Sequence, residues 1–212
     1  MAILRYENKK YMFLLEQYHG QSPRYAGGII MKQNVILSGA DNSYMSRLKA
    51  EFEKAGHNIV VGAENADMLV FCIAPNECGQ SEYKKLIRNY ELYALGLLNT
   101  VNAYLPLMKE SDLKRLCFIT TLRSGINHVL GADHWERIIA ASCNMAIRIL
   151  FNRLTQEGFT FRVFAVEDFA ENSASYAMDY FLQDRSFEEE SDLHSDEKRL
   201  VMRDKYEREY AW

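Results

Sequence analysis

The sequence predicts an α/β protein in which a doubly wound, mostly parallel sheet carries helices on both faces. From residue 33 onward, short apolar runs alternate with longer amphipathic stretches, which is typical of strands alternating with helices. The run at 66–75, ADMLVFCIAP, is apolar almost throughout, as expected for a strand that is buried on both faces. The 212 residues are 48% hydrophobic, which suffices for one full core.

The individual elements follow from the apolar periodicity. The predicted strands share short apolar runs and lie at 34–39, 57–62, 66–75, 113–121 and 159–167. The predicted helices share helical spacing and lie at 46–55, 81–108, 133–156 and 171–182. One predicted face of the third helix carries Trp135, Ile138, Ile139, Ser142, Met145, Ala146, Ile149 and Leu150. Because most strands are separated by a helix, we expect them to run parallel.

Composition changes divide the chain into three parts. Residues 1–31 predict an N-terminal hairpin followed by a linker with glycines and a proline. Residues 32–185 form the predicted α/β domain. Residues 186–212 predict an acidic loop and a tail, RLVMRDKYEREYAW, that packs on the domain or on a partner.

Charge and composition exclude several classes of protein. A net charge of −4 and a pI near 5.8 argue against a nucleic-acid surface. No apolar run approaches the roughly 20 residues that span a bilayer, and we expect no signal peptide and a cytoplasmic location. The cysteines are irregularly spaced and predict buried free thiols without a metal site: Cys72, Cys78, Cys117 and Cys143.

Four segments between residues 33 and 169 resemble the short-chain dehydrogenase/reductase family, in the family's order. YALGLLNTVNAYLPLM at 93–108 is similar to the family helix that ends in Leu-Pro-x-Met, and ITT at 119–121 stands where the family strand ends in Ser-Ser. The run at 66–75 resembles the strand before Asn-Asn-Ala-Gly, and FRVFAV at 161–166 resembles Ile-Arg-Val-Asn-Ala-Val. The resemblance implies a Rossmann-like, NAD(P)-binding fold, here shortened by one strand-helix unit.

The family's catalytic positions hold different residues in this chain. The resemblance places Tyr93 at the Asn position, Thr121 at the Ser position, Ile139 at the Tyr position and Cys143 at the Lys position. Isoleucine has no proton to give, and without a positioned acid there is no general acid catalysis. We therefore expect no catalytic residue among them, although the Thr121 hydroxyl is still able to bind a carbonyl.

The stretch SGADNSYM at 38–45 stands in the place of the family's glycine-rich phosphate turn. Ser43 and Met45 replace the two later glycines, and we expect Asn42 to tolerate a left-handed conformation. Glu167 and Asp168 stand near the expected phosphates and would repel them. We expect no cofactor; if NAD or NADP binds, the resemblance gives its positions as Ser38, Gly39, Asn42, Ala74 and Thr120.

Three functional hypotheses remain open. The first is a non-catalytic structural or regulatory subunit that oligomerises with itself or with an active relative through the helices at 81–108 and 133–156, which the family pairs across a two-fold axis. The second is an NAD(P)-dependent oxidoreductase or epimerase with altered residues, using Thr121, His134 or the Glu167/Asp168 pair. The third is a small-molecule binding module at the carboxyl ends of the strands, near Tyr93, Thr121 and Asp168.

Overall fold

The computed structural model describes residues 32–62, 65–74, 83–125, 134–169, 172–183, 196 and 199–212. The hairpin and linker predicted at 1–31 lie outside the described residues, as does most of the acidic stretch. Residues 32–212 belong to one compact unit.

The described residues form a seven-stranded sheet in the order β2-β1-β3-β4-β5-β6-β7. Its strands are β1 Asn34–Gly39, β2 Asn58–Ile59, β3 Met68–Cys72, β4 Arg115–Thr121, β5 Thr160–Val166, β6 Met202–Arg203 and β7 Glu209–Tyr210. All neighbouring strands pair in parallel except β6 and β7, which pair antiparallel. The predicted mostly parallel sheet is therefore confirmed.

Helices cover both faces of this sheet. They are α1 Ser43–Lys54, α2 Tyr83–Asn89, α3 Gly96–Met108, α4 His134–Leu154 and α5 Ala174–Leu182. Phe161 and Phe164, three residues apart on β5, point to opposite faces because successive strand residues alternate. Phe161 packs edge-on against Phe151 of α4, and Phe164 packs edge-on against Phe181 of α5.

Two helix predictions need correction. The helix predicted at 81–108 is interrupted between α2 and α3 by a π-helical segment, Tyr90–Leu95, which apolar spacing did not reveal. The single apolar face predicted for α4 is divided between two surfaces. Ile139, Ala146 and Leu150 are buried, whereas Ile138, Met145 and Ile149 are exposed. The apolar spacing predicted the helix correctly, but it did not distinguish the buried side of the helix from the neighbouring exposed side.

The shortened part of the fold lies at the amino end of β1. Strand β2 ends after its second residue, close to the amino edge of the sheet, so the chain has only a short distance to travel to β3 on the other side of β1. Asp67 fixes this crossing: its carboxylate accepts the Asn34 N–H at 2.8 Å and the Ser111 hydroxyl at 2.7 Å. No strand-helix unit is needed between β2 and β3.

The sheet continues beyond residue 185, where the sequence analysis ends the α/β domain, because β6 and β7 come from the tail. Asp196 is fully buried and accepts two hydrogen bonds from the Arg203 guanidinium, at 2.5 and 2.7 Å. The Tyr180 hydroxyl donates to the same carboxylate at 3.1 Å. These contacts join the tail to helix α5. None of the described helices is long and apolar enough to cross a membrane.

Candidate functional site

The four family catalytic positions lie in the interior near the carboxyl ends of the central strands. Tyr93 belongs to the π-helical segment, Thr121 ends β4, and Ile139 and Cys143 lie one turn apart on α4. All four are buried, with at most 3% of their surface exposed. Burial, with smaller contributions from the nearby Cys72 and Cys143 thiols, raises the pKa of Tyr93 to about 12. The structure thus brings Tyr93 and Cys143 together, in a packed cluster.

Neither titratable group of this cluster is charged near neutral pH. Burial raises the pKa of the Cys143 thiol to about 12, although a hydrogen bond with Ser142 opposes the shift. A buried thiol of this kind is neither a good nucleophile nor a base. Tyr93 holds its proton as firmly, and Ile139 has none. The two residues that the resemblance places at the acid and lysine positions, Ile139 and Cys143, therefore carry no group that is charged near neutral pH.

The hydroxyl of Thr121 has a local structural role. Its oxygen accepts the Arg123 N–H at 3.2 Å and caps a short 3₁₀ helix, Leu122–Ser124. Thr120 points to the opposite face of the sheet and is fully buried. Its hydroxyl has no hydrogen-bond partner among the residues that the structure describes.

Gly39 is required by the packing of β1 on β3. Its φ of 100° lies in the region that side chains disfavour, and an added Cβ would sit 2.3 Å from the Cys72 carbonyl oxygen. The next residue, Ala40, donates its N–H to that oxygen at 3.0 Å. The glycine therefore has a structural reason that is independent of phosphate binding.

Asn42 does not adopt the left-handed conformation that the sequence analysis allowed for it. Its φ of −143° and ψ of 172° are extended, and its side-chain oxygen accepts the Met45 N–H at 3.0 Å. This is the geometry of a helix N-cap, so α1 begins at Ser43, three residues before its predicted start. In a dinucleotide-binding turn, backbone N–H groups at the start of the helix face the phosphates. Here the Met45 N–H instead donates to the Asn42 side chain.

The remaining candidate positions lie around the same carboxyl edge. Ser38 is half-buried near the end of β1, and Ala74 is buried just after β3. Glu167 and Asp168 are exposed after β5. The side chain of His134 lies outside the described residues. Tyr44, a fully buried aromatic residue in the first turn of α1, was not predicted as a site residue because it stands at a variable position of the family turn, between the two glycine positions.

A shallow cleft lies between the end of β5 and the β6–β7 loop. Leu122, Glu167, Ser173, Asp204, Tyr206 and Arg208 are among the residues that line it. The Asp204 carboxylate accepts hydrogen bonds from the Arg208 guanidinium at 2.6 and 2.8 Å, so these charges neutralise each other. The buried Tyr93 and Thr121, expected to line a binding crevice, do not line this cleft. Among the described residues no cluster of three or more His, Cys, Asp or Glu is able to hold a metal.

The two long helices, together with the π-helical segment before α3, expose apolar side chains. Asn102 of α3 accepts a hydrogen bond from Arg153 of α4 at 2.8 Å. Both helices connect parallel strands and so run in the same direction, and the π-helical segment that ends at Leu95 packs against α4. Leu95, Ile138, Met145 and Ile149 are 44 to 62% exposed. We call these four residues the apolar stripe.

Comparisons with known proteins identify the class of fold. No family model matches the sequence. A curated relative, C-signal of Myxococcus xanthus, is 29% identical over 82 residues, which cover 38% of this chain and about half, 49%, of the relative. The fold is matched much more completely than the sequence.

Three solved structures illustrate the match, and each is covered completely or almost completely. A protein from Burkholderia multivorans classed as a short-chain alcohol dehydrogenase aligns over 85% of this chain with a TM-score of 0.65 and 14% identity. The Caenorhabditis elegans protein classed as carbonyl reductase Sniffer gives 0.63 and 12% over 85% of this chain and 99% of its own. A Pseudomonas aeruginosa carbonyl reductase in complex with NADP gives 0.58 and 12% over 85%. The chain is therefore a doubly wound α/β protein, and its fold is that of the short-chain dehydrogenase/reductases.

Proposed function

We propose that this protein is a non-catalytic relative of the short-chain dehydrogenase/reductases that serves as a structural or regulatory subunit. One observation carries the proposal: the side chains at the family's catalytic positions are buried, and those at the acid and lysine positions supply no proton near neutral pH. Ile139 replaces the acid, the pKa of Cys143 is raised to about 12 by burial, and the Thr121 hydroxyl caps a helix. A positioned general acid or base contributes about 10²–10⁴ in rate, and this chain has none at these positions.

The apolar stripe supports association as the retained activity. Four large exposed apolar side chains on neighbouring helical segments are more than scattered surface hydrophobics, and such patches mark protein interfaces. We propose a second copy of this chain as the occupant, paired about a two-fold axis. In a two-fold interface the same surface patch of each subunit contacts its copy on the other subunit. The four residues of the apolar stripe are uncharged, so two copies of the stripe are able to pack together without like-charge repulsion.

Enzyme assays test the loss of catalysis. We expect the purified protein to show no turnover of NADH or NADPH with aldehyde, ketone or enoyl substrates. Turnover that disappears in Thr121→Ala, with folding unchanged by circular dichroism, would establish an oxidoreductase with altered residues and refute the proposal. The exposed Glu167 and Asp168 provide a further check. We expect the double variant Glu167→Gln/Asp168→Asn to oxidise NADH and NADPH no faster and no slower than the native protein.

Sedimentation velocity tests the association. We expect the native protein to sediment as a dimer, and Met145→Arg or Leu95→Arg to sediment as a folded monomer because a charge is buried without a partner. Ala50→Arg is the matched control, since Ala50 is exposed on α1 at the other face of the sheet. A native monomer, or a dimer that survives both stripe variants, contradicts the proposed interface. Stoichiometric co-purification with an active relative from the native host would replace the homodimer by a heteromeric complex.

A further inference from the structure

The crevice at the carboxyl ends of β1 and β3 is the place where a sheet of this strand order usually binds its ligand. The chain leaves β1 for one neighbour and returns on the other side, which opens a gap between the loops above them. A dinucleotide in that gap needs free N–H groups at the start of the next helix, a turn without bulky side chains, and open space. The Met45 N–H is already bonded to Asn42, and Tyr44 and Met45 are both buried.

Tyr44 extends from α1 across the crevice. Its hydroxyl lies 3.3 Å from the Ser173 hydroxyl, at the start of α5, and its ring packs edge-on against Phe169 with centroids 5.7 Å apart. Burial raises the pKa of the phenol, and the Cys72 thiol at the end of β3 adds to the increase. Tyr44 therefore stays protonated at neutral pH and lies close to the end of β3.

Arg47, almost one turn further along α1, makes a second connection. Its guanidinium donates to the Phe169 carbonyl oxygen at 2.7 Å and lies 5.7 Å from the centre of the Tyr44 ring. A charged donor on a carbonyl and a cation near an aromatic ring both favour this placement of the partly buried guanidinium. Two residues of α1 thus bind the residues that follow β5.

We propose that Tyr44, Arg47, Phe169 and Ser173 form a tether that occupies the dinucleotide crevice, so that no NAD(H) or NADP(H) binds there. The tether joins α1 directly to the start of α5 and to the residues that follow β5. The residues present do not fit the cofactor that the fold implies. This inference concerns ligand binding and stands or falls separately from the oligomeric state.

The first experiment measures dinucleotide binding to the native protein. NADH, NADPH and their oxidised forms are added at about 5 mM, and melting temperature and amide hydrogen exchange are followed. We expect the melting temperature and the exchange of the first amides of α1 to remain unchanged. A rise of more than about 2 °C, or slower exchange at residues 43–46, would overturn the inference. An active short-chain dehydrogenase measured alongside shows that the assay detects binding.

The second experiment tests the tether itself through one amide. The Ala177 N–H donates to the Ser173 carbonyl at 3.0 Å and reports on the start of α5. We expect Tyr44→Phe, Arg47→Met and Ser173→Ala each to speed its exchange by about tenfold, with β4 unchanged. Lys49→Met is the matched control, because Lys49 is an exposed cation on the same helix. Native-like exchange in Arg47→Met and Ser173→Ala refutes the tether, even if Tyr44→Phe fails to fold.

Discussion

Gly39→Ala offers a quantitative test of why the first glycine of the turn is retained. The added methyl group would lie 2.3 Å from the Cys72 carbonyl oxygen and 2.8 Å from its nitrogen, so backbone must move. A left-handed conformation alone costs a side chain about 1–2 kcal/mol. Displacing packed atoms adds about 1–3 kcal/mol. We therefore expect Gly39→Ala to lower the free energy of unfolding by about 2–5 kcal/mol.

Urea denaturation with Gly158→Ala as reference separates the two contributions. Gly158 has a similar φ of 84°, but an added Cβ there meets nothing within 4 Å, so only the conformational cost remains. We expect the Gly39 variant to lose at least about 1 kcal/mol more than the Gly158 variant. If both variants unfold at the same urea concentration, Gly39 is not needed for packing. Its retention would then point to phosphate binding after all.

Three further predictions concern buried polar groups. Burial lowers the pKa of His57, so the folded protein binds a proton less readily than the unfolded chain. Stability should be constant above about pH 6.5 and fall as the pH decreases below it, and His57→Gln should flatten this dependence in urea titrations. Arg115 donates to the carbonyls of Phe181 and Gln183 at the end of α5, so Arg115→Met should cost about 2–4 kcal/mol, measured by urea denaturation, and unchanged stability would contradict this role. Both amide atoms of Asn144 are buried without a hydrogen-bond partner in the described part of the chain, so Asn144→Leu should raise the free energy of unfolding by about 1–2 kcal/mol. A decrease in urea denaturation would show that the amide is satisfied in solution.

The elements best predicted from sequence are those that local patterns determine. Strand β1 is predicted and observed at the same residues because a short apolar run is followed by Ser38 and Gly39. The start of α1 was missed because Asn42 was interpreted as part of a phosphate turn, whereas its side chain caps the helix. The π-helical segment was missed because apolar residues occur on more than one side of that helix. Local patterns indicate which face of an element is buried. They do not indicate where a helix changes from α-helical to π-helical turns.

The candidate site divides in the same way. The family resemblance supplied the identities at the catalytic positions, and the inert character of Ile139 follows from its side chain alone. The contact of Tyr44 with Ser173 joins residues 129 positions apart, and no periodicity in the sequence indicates such a contact. The exposure of Met145 likewise depends on how α4 is rotated against the sheet. Both the Tyr44–Ser173 contact and the exposure of Met145 are determined by packing between distant parts of the chain. A short stretch of sequence does not indicate such packing.

The two-residue length of β2 has a consequence for solubility. Among the described residues β2 is the outermost strand on its side, and an outermost strand normally presents unpaired backbone groups to which another chain can add. A strand of only two residues presents too few such groups to template a foreign strand. Within the described part of the chain, this edge of the sheet therefore offers little backbone for edge-to-edge association.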